Sequence, residues 1–229
     1  MLEVTMPHIN TSDLIREIKE YQSRNVELLK KSHHFVFDCP LDFQNSDETN
    51  YIWMGLNPGN DTDDWLKTNG RNDEETRDRD FQEIFGRSRG SKRRKTQIKN
   101  FSGSSIFRKT THTELFFWCS KKLTDDFQKR YGTSFSTSPH LEFCITLNKE
   151  LINRVQPKAV FFESLDKIKD VGHVFNLSKL KTHQVGSRRI DEYLIDEKPR
   201  LLNFDHLSAG PPASFKRKKV GECLRQIIE

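Results

Sequence analysis

Two short stretches carry the residues best able to do chemistry. One is Gly55-Leu56-Asn57-Pro58-Gly59, the other Asp205-His206-Leu207-Ser208. A histidine can donate or take a proton near neutral pH, and an asparagine amide can hold a water molecule in place. An amide is a poor base. The pair therefore suits a reaction whose nucleophile needs placement more than activation, with a donor aimed at developing negative charge. Asp205 has three readings: it caps the turn, orients His206, or acts as base on the water.

Each stretch needs an element to deliver it. Tyr51-Ile52-Trp53-Met54 is an apolar run suited to a buried strand, and it stops in Gly-Leu-Asn-Pro-Gly. Gly55 and Gly59 allow backbone conformations closed to other residues, while Pro58 fixes its own φ and pushes Asn57 out of the helical region. The expected result is a sharp, rigid turn that holds the Asn57 amide outward; an ordinary Pro-Gly turn after a strand is the plainer alternative. Leu201-Leu202-Asn203-Phe204 repeats the design and opens into Asp205-His206 and then Gly210-Pro211-Pro212. Open α/β sheets bind ligands at the carboxyl ends of their strands. If the two strands are parallel neighbours, Asn57 and His206 face each other across one cleft.

A Gly-x-Asn-Pro-Gly loop early and a His-x-Ser loop late resemble the two active-site motifs of the uracil-DNA glycosylase superfamily. The pairing of Asn with His is most similar to its single-strand-selective monofunctional branch, and the mismatch-specific branch shares the first motif. The resemblance covers the chain from about Tyr51 onward, apart from a charged insertion. It implies a three-layer α/β/α fold around a mostly parallel four-stranded sheet. It also implies a monofunctional DNA glycosylase, which flips a damaged or modified base from the stack and hydrolyses its N-glycosidic bond, leaving an abasic site. On this reading His206 donates to the leaving base, Asn57 positions water below C1′, and Asp205 supports them. Gly55, Leu56, Pro58, Gly59, Glu114 and Phe116 line the base pocket, and Ser208 binds a flanking phosphate. Pro211, Pro212 or Phe215 wedges into the duplex. No lysine lies inside either motif, so Schiff-base lyase chemistry is not indicated.

The departures bear on the substrate. Leu207 stands where the family's second motif has proline, and no residue is a secure equivalent of the asparagine that reads uracil in some branches. Trp65 and Phe81 are the candidates for stacking on the base. The base removed therefore stays open, and a hydroxymethylated or glucosylated cytosine of phage DNA is one alternative. The protein would then act in antiviral defence and not in repair.

Composition sets the bounds. The 229 residues suffice for one α/β domain spanning 1–229. Hydrophobic residues make up only 34% against 31% charged, so the expected core is small and the surface heavily charged. A net charge of +5 favours an anionic partner, here DNA. Cys39, Cys119, Cys144 and Cys223 show no metal-ligand spacing, so neither metal nor cofactor is expected. No run suits a membrane span or a signal peptide, and the expectation is a soluble, cytoplasmic or nucleoid-associated monomer.

Along the chain, Ser12 and Asp13 can cap a helix through Leu14, Ile15, Ile18 and Tyr21 that runs on to Leu28 and Leu29. His33 to Phe37 reads as a short strand. Residues 60–100 form a charged insertion, acidic first and then basic. Its basic part, Arg87 to Lys99 with Lys92, Arg93, Arg94 and Lys95, is expected to be a flexible arm against phosphate or a solvated loop. Lys109 to Trp118 reads as a strand, and Glu114 on it either accepts from an exocyclic amine or lies on the surface. Leu147, Leu151 and Val155 share a helical face, ahead of a strand Ala159–Phe162 and a helix through Leu165, Ile168 and Val171. Ile190–Ile195 alternates as a strand. Ser214 can cap a terminal helix whose first turns hold Lys216, Arg217, Lys218 and Lys219, against the helix dipole and therefore suggestive of phosphate. Two readings of another class remain. One is a DNA-binding protein without catalysis, the other a nucleotide hydrolase, for which a Walker-type glycine loop is missing.

Overall fold

The computed structural model describes residues 12–25, 50–56, 89–118, 125–164, 168–171, 175–205 and 214–229. The expected strand at His33 to Phe37 and the acidic half of the insertion lie outside them.

Helix α1, Ser12–Arg24, forms because Leu14 and Ile18 recur at helical spacing and bury completely, with Asp13 in the first turn where the dipole favours an anion. Asn25 follows as a turn whose side-chain amide donates to Tyr21 O at 2.8 Å. The continuation to Leu28 and Leu29 lies outside the described residues. Strand β1, Tyr51–Gly55, is buried at every position, as a strand covered on both faces must be.

The basic segment corrects one expectation. Arg89–Ser102 is a helix, α2, and not a flexible arm. Ile98 and Phe101 anchor its last turns. The Phe101 ring stacks on Phe204 at 5.1 Å and meets Trp53 edge-on at 5.9 Å. A short helix α3, Ser104–Arg108, leads to strand β2, Thr110–Glu114, beyond which Leu115 to Trp118 continue buried.

Helix α4, Asp125–Tyr131, and a single 3-10 turn at Phe135–Thr137 precede helix α5, Pro139–Val155. Proline at its start costs no hydrogen bond, because the first helical N–H groups have no partner within the helix. Strand β3, Ala159–Phe162, and a one-turn helix α6, Ile168–Val171, follow. Strands β4, Leu177–Val185, and β5, Arg188–Ile195, form a hairpin, and strand β6, Arg200–Phe204, precedes the terminal helix α7, Ser214–Ile228.

All six strands share one sheet in the order β2-β1-β3-β6-β5-β4. The pairs β2-β1, β1-β3 and β3-β6 are parallel; β6-β5 and β5-β4 are antiparallel. The sheet is thus mixed and six-stranded, where a mostly parallel four-stranded one was expected. Strand β4 escapes a sequence reading because Leu-Ser-Lys-Leu-Lys-Thr-His-Gln-Val has no apolar alternation. It holds its place by pairing along the whole of β5.

Helices cover both faces. Ile52, Met54, Val160, Phe162 and Leu201 pack toward α1 and α5, while Tyr51, Trp53, Phe161, Leu202 and Phe204 pack toward α2 and α7. Each such side chain contributes roughly 1.5–3 kcal/mol on burial. On the second face α7 crosses α2 closely at Gly221, where any β-carbon would overlap the Phe101 carbonyl oxygen.

Candidate active site at the carboxyl edge of the sheet

Because β1, β2, β3 and β6 run the same way, Gly55, Glu114, Phe162 and Phe204 all end at one edge. The β4–β5 turn reaches that edge too, since Ile190 pairs with Phe204. Strands β1 and β6 are parallel but not neighbours, because β3 lies between them. Two strand spacings separate their ends by about 10 Å.

At the β1 exit, Gly55 O and Leu56 O accept the Leu115 and Phe116 N–H groups at 2.9 and 3.0 Å, extending the pairing with the segment after β2. The Glu114 carboxylate packs on Gly55, where any β-carbon would overlap it. Only glycine leaves that space. Asn148 of α5, itself fully buried, fixes the end of β2: its Nδ2 donates to Glu114 O at 3.0 Å, and its Oδ1 accepts from Thr113 Oγ1 at 2.9 Å.

The β3 exit ties the two outer exits together. Glu163 is fully buried and accepts from the Trp53 indole N–H of β1, while its own N–H donates to Met54 O at 3.2 Å. The next N–H, of Ser164, donates to Asn203 Oδ1 of β6 at 3.4 Å. Beyond β6, Asp205 accepts from Arg188 at the start of β5; both side chains are about one-third exposed.

No model of a known protein family matches this chain, and no curated protein is similar to it.

The expected site residues fare differently. Gly55, Leu56 and Glu114 stand together at the β1 exit. Phe116 is fully buried with its ring edge-on to Phe127, Tyr131 and Trp118 at 5.0, 5.2 and 5.6 Å, so it serves the aromatic core on the α5 side. Asp205 is an ion-pair partner of Arg188. Asn57, Pro58, Gly59, His206 and Ser208 lie outside the described residues. Lys92, Arg93, Arg94 and Lys95 fall in the first half of α2, and Lys216 and Arg217 in the first turn of α7. Helix α7 runs back from the carboxyl edge, because its Ile227 O accepts from Arg200 at the start of β6, 2.8 Å away. Its basic first turn therefore lies toward that edge.

Glu163, Asn203, Arg188 and Asn148 were not singled out from sequence. For Glu163 a signal existed: it is a carboxylate that abruptly ends the apolar run Ala159-Val160-Phe161-Phe162. For Arg188 none did, since its partner is 17 positions away. The cysteines offer no nucleophile among the described residues. Burial pushes the Cys144 thiol well up, and the Phe117 N–H is donated to its sulfur at 3.4 Å. Among the described residues no three His, Cys, Asp or Glu side chains gather as a metal site, and no helix is long and apolar enough to cross a membrane.

Proposed function

We propose that this protein is a monofunctional DNA glycosylase. The observation that carries the reading is that β1 and β6 end at one edge of the sheet, each two residues before a polar residue of the right type. Asn57 follows β1 and His206 follows β6. The two strand ends lie about 10 Å apart with β3 between them, a separation that suits a planar base seated beyond the β3 exit, with donor and water on opposite sides of the bond to be broken. In this mechanism the nucleotide leaves the stack, His206 donates to the base as negative charge moves onto it, and Asn57 sets a water below C1′. The sugar is oxocarbenium-like at that point, so a placed water suffices. Ser208, the basic half of α2 and the first turn of α7 hold the phosphates.

A second reading concerns the substrate. When ionised, the Glu114 carboxylate on Gly55 can only accept, which suits an exocyclic amine. That favours a modified cytosine, including the hydroxymethylated or glucosylated base of phage DNA.

The deciding experiment is base release followed by mass spectrometry on a panel of DNAs: uracil, deaminated purine, and hydroxymethylated or glucosylated cytosine. Asn57→Ala and His206→Ala run alongside. The expected outcome is release of one free base, reduced about 100- to 1,000-fold in either variant with DNA binding retained. No release from any DNA with binding intact would make this a DNA-binding protein; turnover of free nucleotides alone would make it a nucleotide hydrolase.

A further inference from the structure

Strand β4 ends the sheet, and Ser178 to Lys181 are exposed on it, whereas β2 at the other end is buried at its first four positions. The inner side of β4 is engaged with β5 from Leu177 opposite Ile195 to Val185 opposite Arg188. Val185 and Arg188 flank a two-residue turn and so form a hydrogen-bonded pair. Counting back from them, Thr182 and Gln184 turn their backbone N–H and C=O groups outward. Among the described residues nothing pairs with those groups. The register shifts between Lys179, opposite Tyr193, and Lys181, opposite Glu192, which leaves Leu180 as the extra residue of a bulge. Bulges re-aim side chains, and Leu180 is the large apolar side chain left exposed among the described residues.

Charge around Leu180 is one-sided. Lys179 is half exposed, and exposed Lys181 has no ion-pair partner among the described residues. The carboxylates of β5 lie inward and are already engaged. Asp191 accepts from Thr182 Oγ1 at 2.6 Å and pairs with Arg189 and Lys179; Glu192 pairs with His183 and Arg200. Lysines and bulges keep like strands from adding to an edge, and in a second copy Lys179 and Lys181 would meet their own counterparts. The exposed leucine does the opposite, since it offers apolar area to a neighbour. We propose that β4 is a strand-addition site for an extended acidic segment of a partner protein, with an apolar side chain of that segment against Leu180. The outer row holds donors and acceptors alike, which matches another strand. Phosphates only accept, so a nucleic acid or an anionic lipid surface would set anions against the Thr182 and Gln184 carbonyls. This surface is separate from the glycosylase site, which lies at the ends of β1 and β6.

The test selects displayed random peptides of about ten residues, the length of a long strand, against the full chain. Enriched peptides are then synthesised and their affinity is read by fluorescence anisotropy. A random-sequence DNA duplex and phosphatidylglycerol vesicles run alongside. The enriched peptides should carry acidic residues around an apolar one and bind about tenfold more weakly to Leu180→Ser, Lys181→Glu and Gln184→Pro. Proline at 184 removes an outward donor and leaves the ladder with β5 whole, so melting temperatures should stay close to that of the unaltered chain. Exchanging the acids of the peptide for lysine should restore binding to Lys181→Glu. Hydrogen exchange at the Thr182 and Gln184 amides should slow in the complex, which side-chain contact alone would not cause. Selection without enrichment, unaltered affinity in all three variants, or unchanged exchange at both amides would overturn the proposal. So would DNA or vesicles that bind the unaltered chain and lose affinity in the same variants while no peptide binds, since the face would then belong to phosphate. Should Gln184→Pro fail to fold, the other two variants and the exchange measurement decide.

Discussion

The parallel block β2-β1-β3-β6 and the hairpin β4–β5 belong to one sheet but are held by different forces. In the block, β1 and β3 are buried at every position, and aromatic rings meet across strands, as Tyr51 and Trp53 of β1 meet Phe161 of β3 at 5.5 and 5.4 Å. In the hairpin most of β4 is exposed or half-exposed, and charge takes over. Asp191 gathers Thr182, Lys179 and Arg189, while Glu192 pairs with His183 at 2.8 Å and Arg200 at 3.2 Å. Removal of apolar area from water is non-directional and large, so it defines the block. Ion pairs are directional and partly screened, so they align a strand that burial would not hold. The candidate site lies where the regimes meet: its floor belongs to the block, and Arg188 reaches Asp205 from the hairpin.

The sharpest way to break this contrast is Phe161→Ala, which should cost about 3–5 kcal/mol in urea unfolding as a large cavity opens under Trp53. A loss below 1 kcal/mol would mean that the block does not dominate stability. Gly55→Ala comes next. Its β-carbon meets the Glu114 carboxylate, so a loss of about 1–3 kcal/mol is expected. Adding Glu114→Ala in that background should recover most of it, and a purely additive double variant would place the strain elsewhere.

Within the hairpin, Asp191→Asn should cost about 2 kcal/mol at pH 7, measured by the same unfolding experiment. Burial pushes the Asp191 carboxyl up, but the hydrogen bonds from Thr182 and Lys179 and the attraction of Arg189 and Lys179 outweigh it and hold it below its ordinary value. A carboxyl lowered in the folded state adds stability above its unfolded pKa and loses it as pH falls through the folded one. The difference between the unaltered chain and Asp191→Asn should therefore be constant from neutral pH down to about pH 4 and shrink below it. The same sign applies to Asp13, held at about 2 by its bidentate bond with Arg154. The smallest effect is expected at Leu180, 51% exposed on β4. Leu180→Ser should change stability by less than about 0.5 kcal/mol, and a larger loss would show that the outer strand has apolar cover.

Local sequence determined those parts whose burial is written into consecutive residues. The strands at Tyr51, Ala159, Ile190 and Leu201, and the helices over Pro139–Val155 and Ser214–Ile228, announce themselves as apolar runs or 3.6-residue periods, because burial on a face requires that spacing. The same logic marked Gly55 and Leu56 as residues at a strand end, whereas Glu114 was expected inside a strand Lys109 to Trp118 that in fact ends at it. Tertiary structure decided what spacing cannot encode. Helix α2 is attached where Ile98 and Phe101 find the sheet face. Strand β4 forms because β5 offers it a ladder and a buried carboxylate. Strand β3 inserts between β1 and β6 because the pairing of distant strands depends on chain connections and not on local pattern. Phe116 belongs to the core, and Asn203 and Glu163 to the carboxyl edge, because burial and hydrogen bonding are properties of surroundings assembled from residues far apart in the chain.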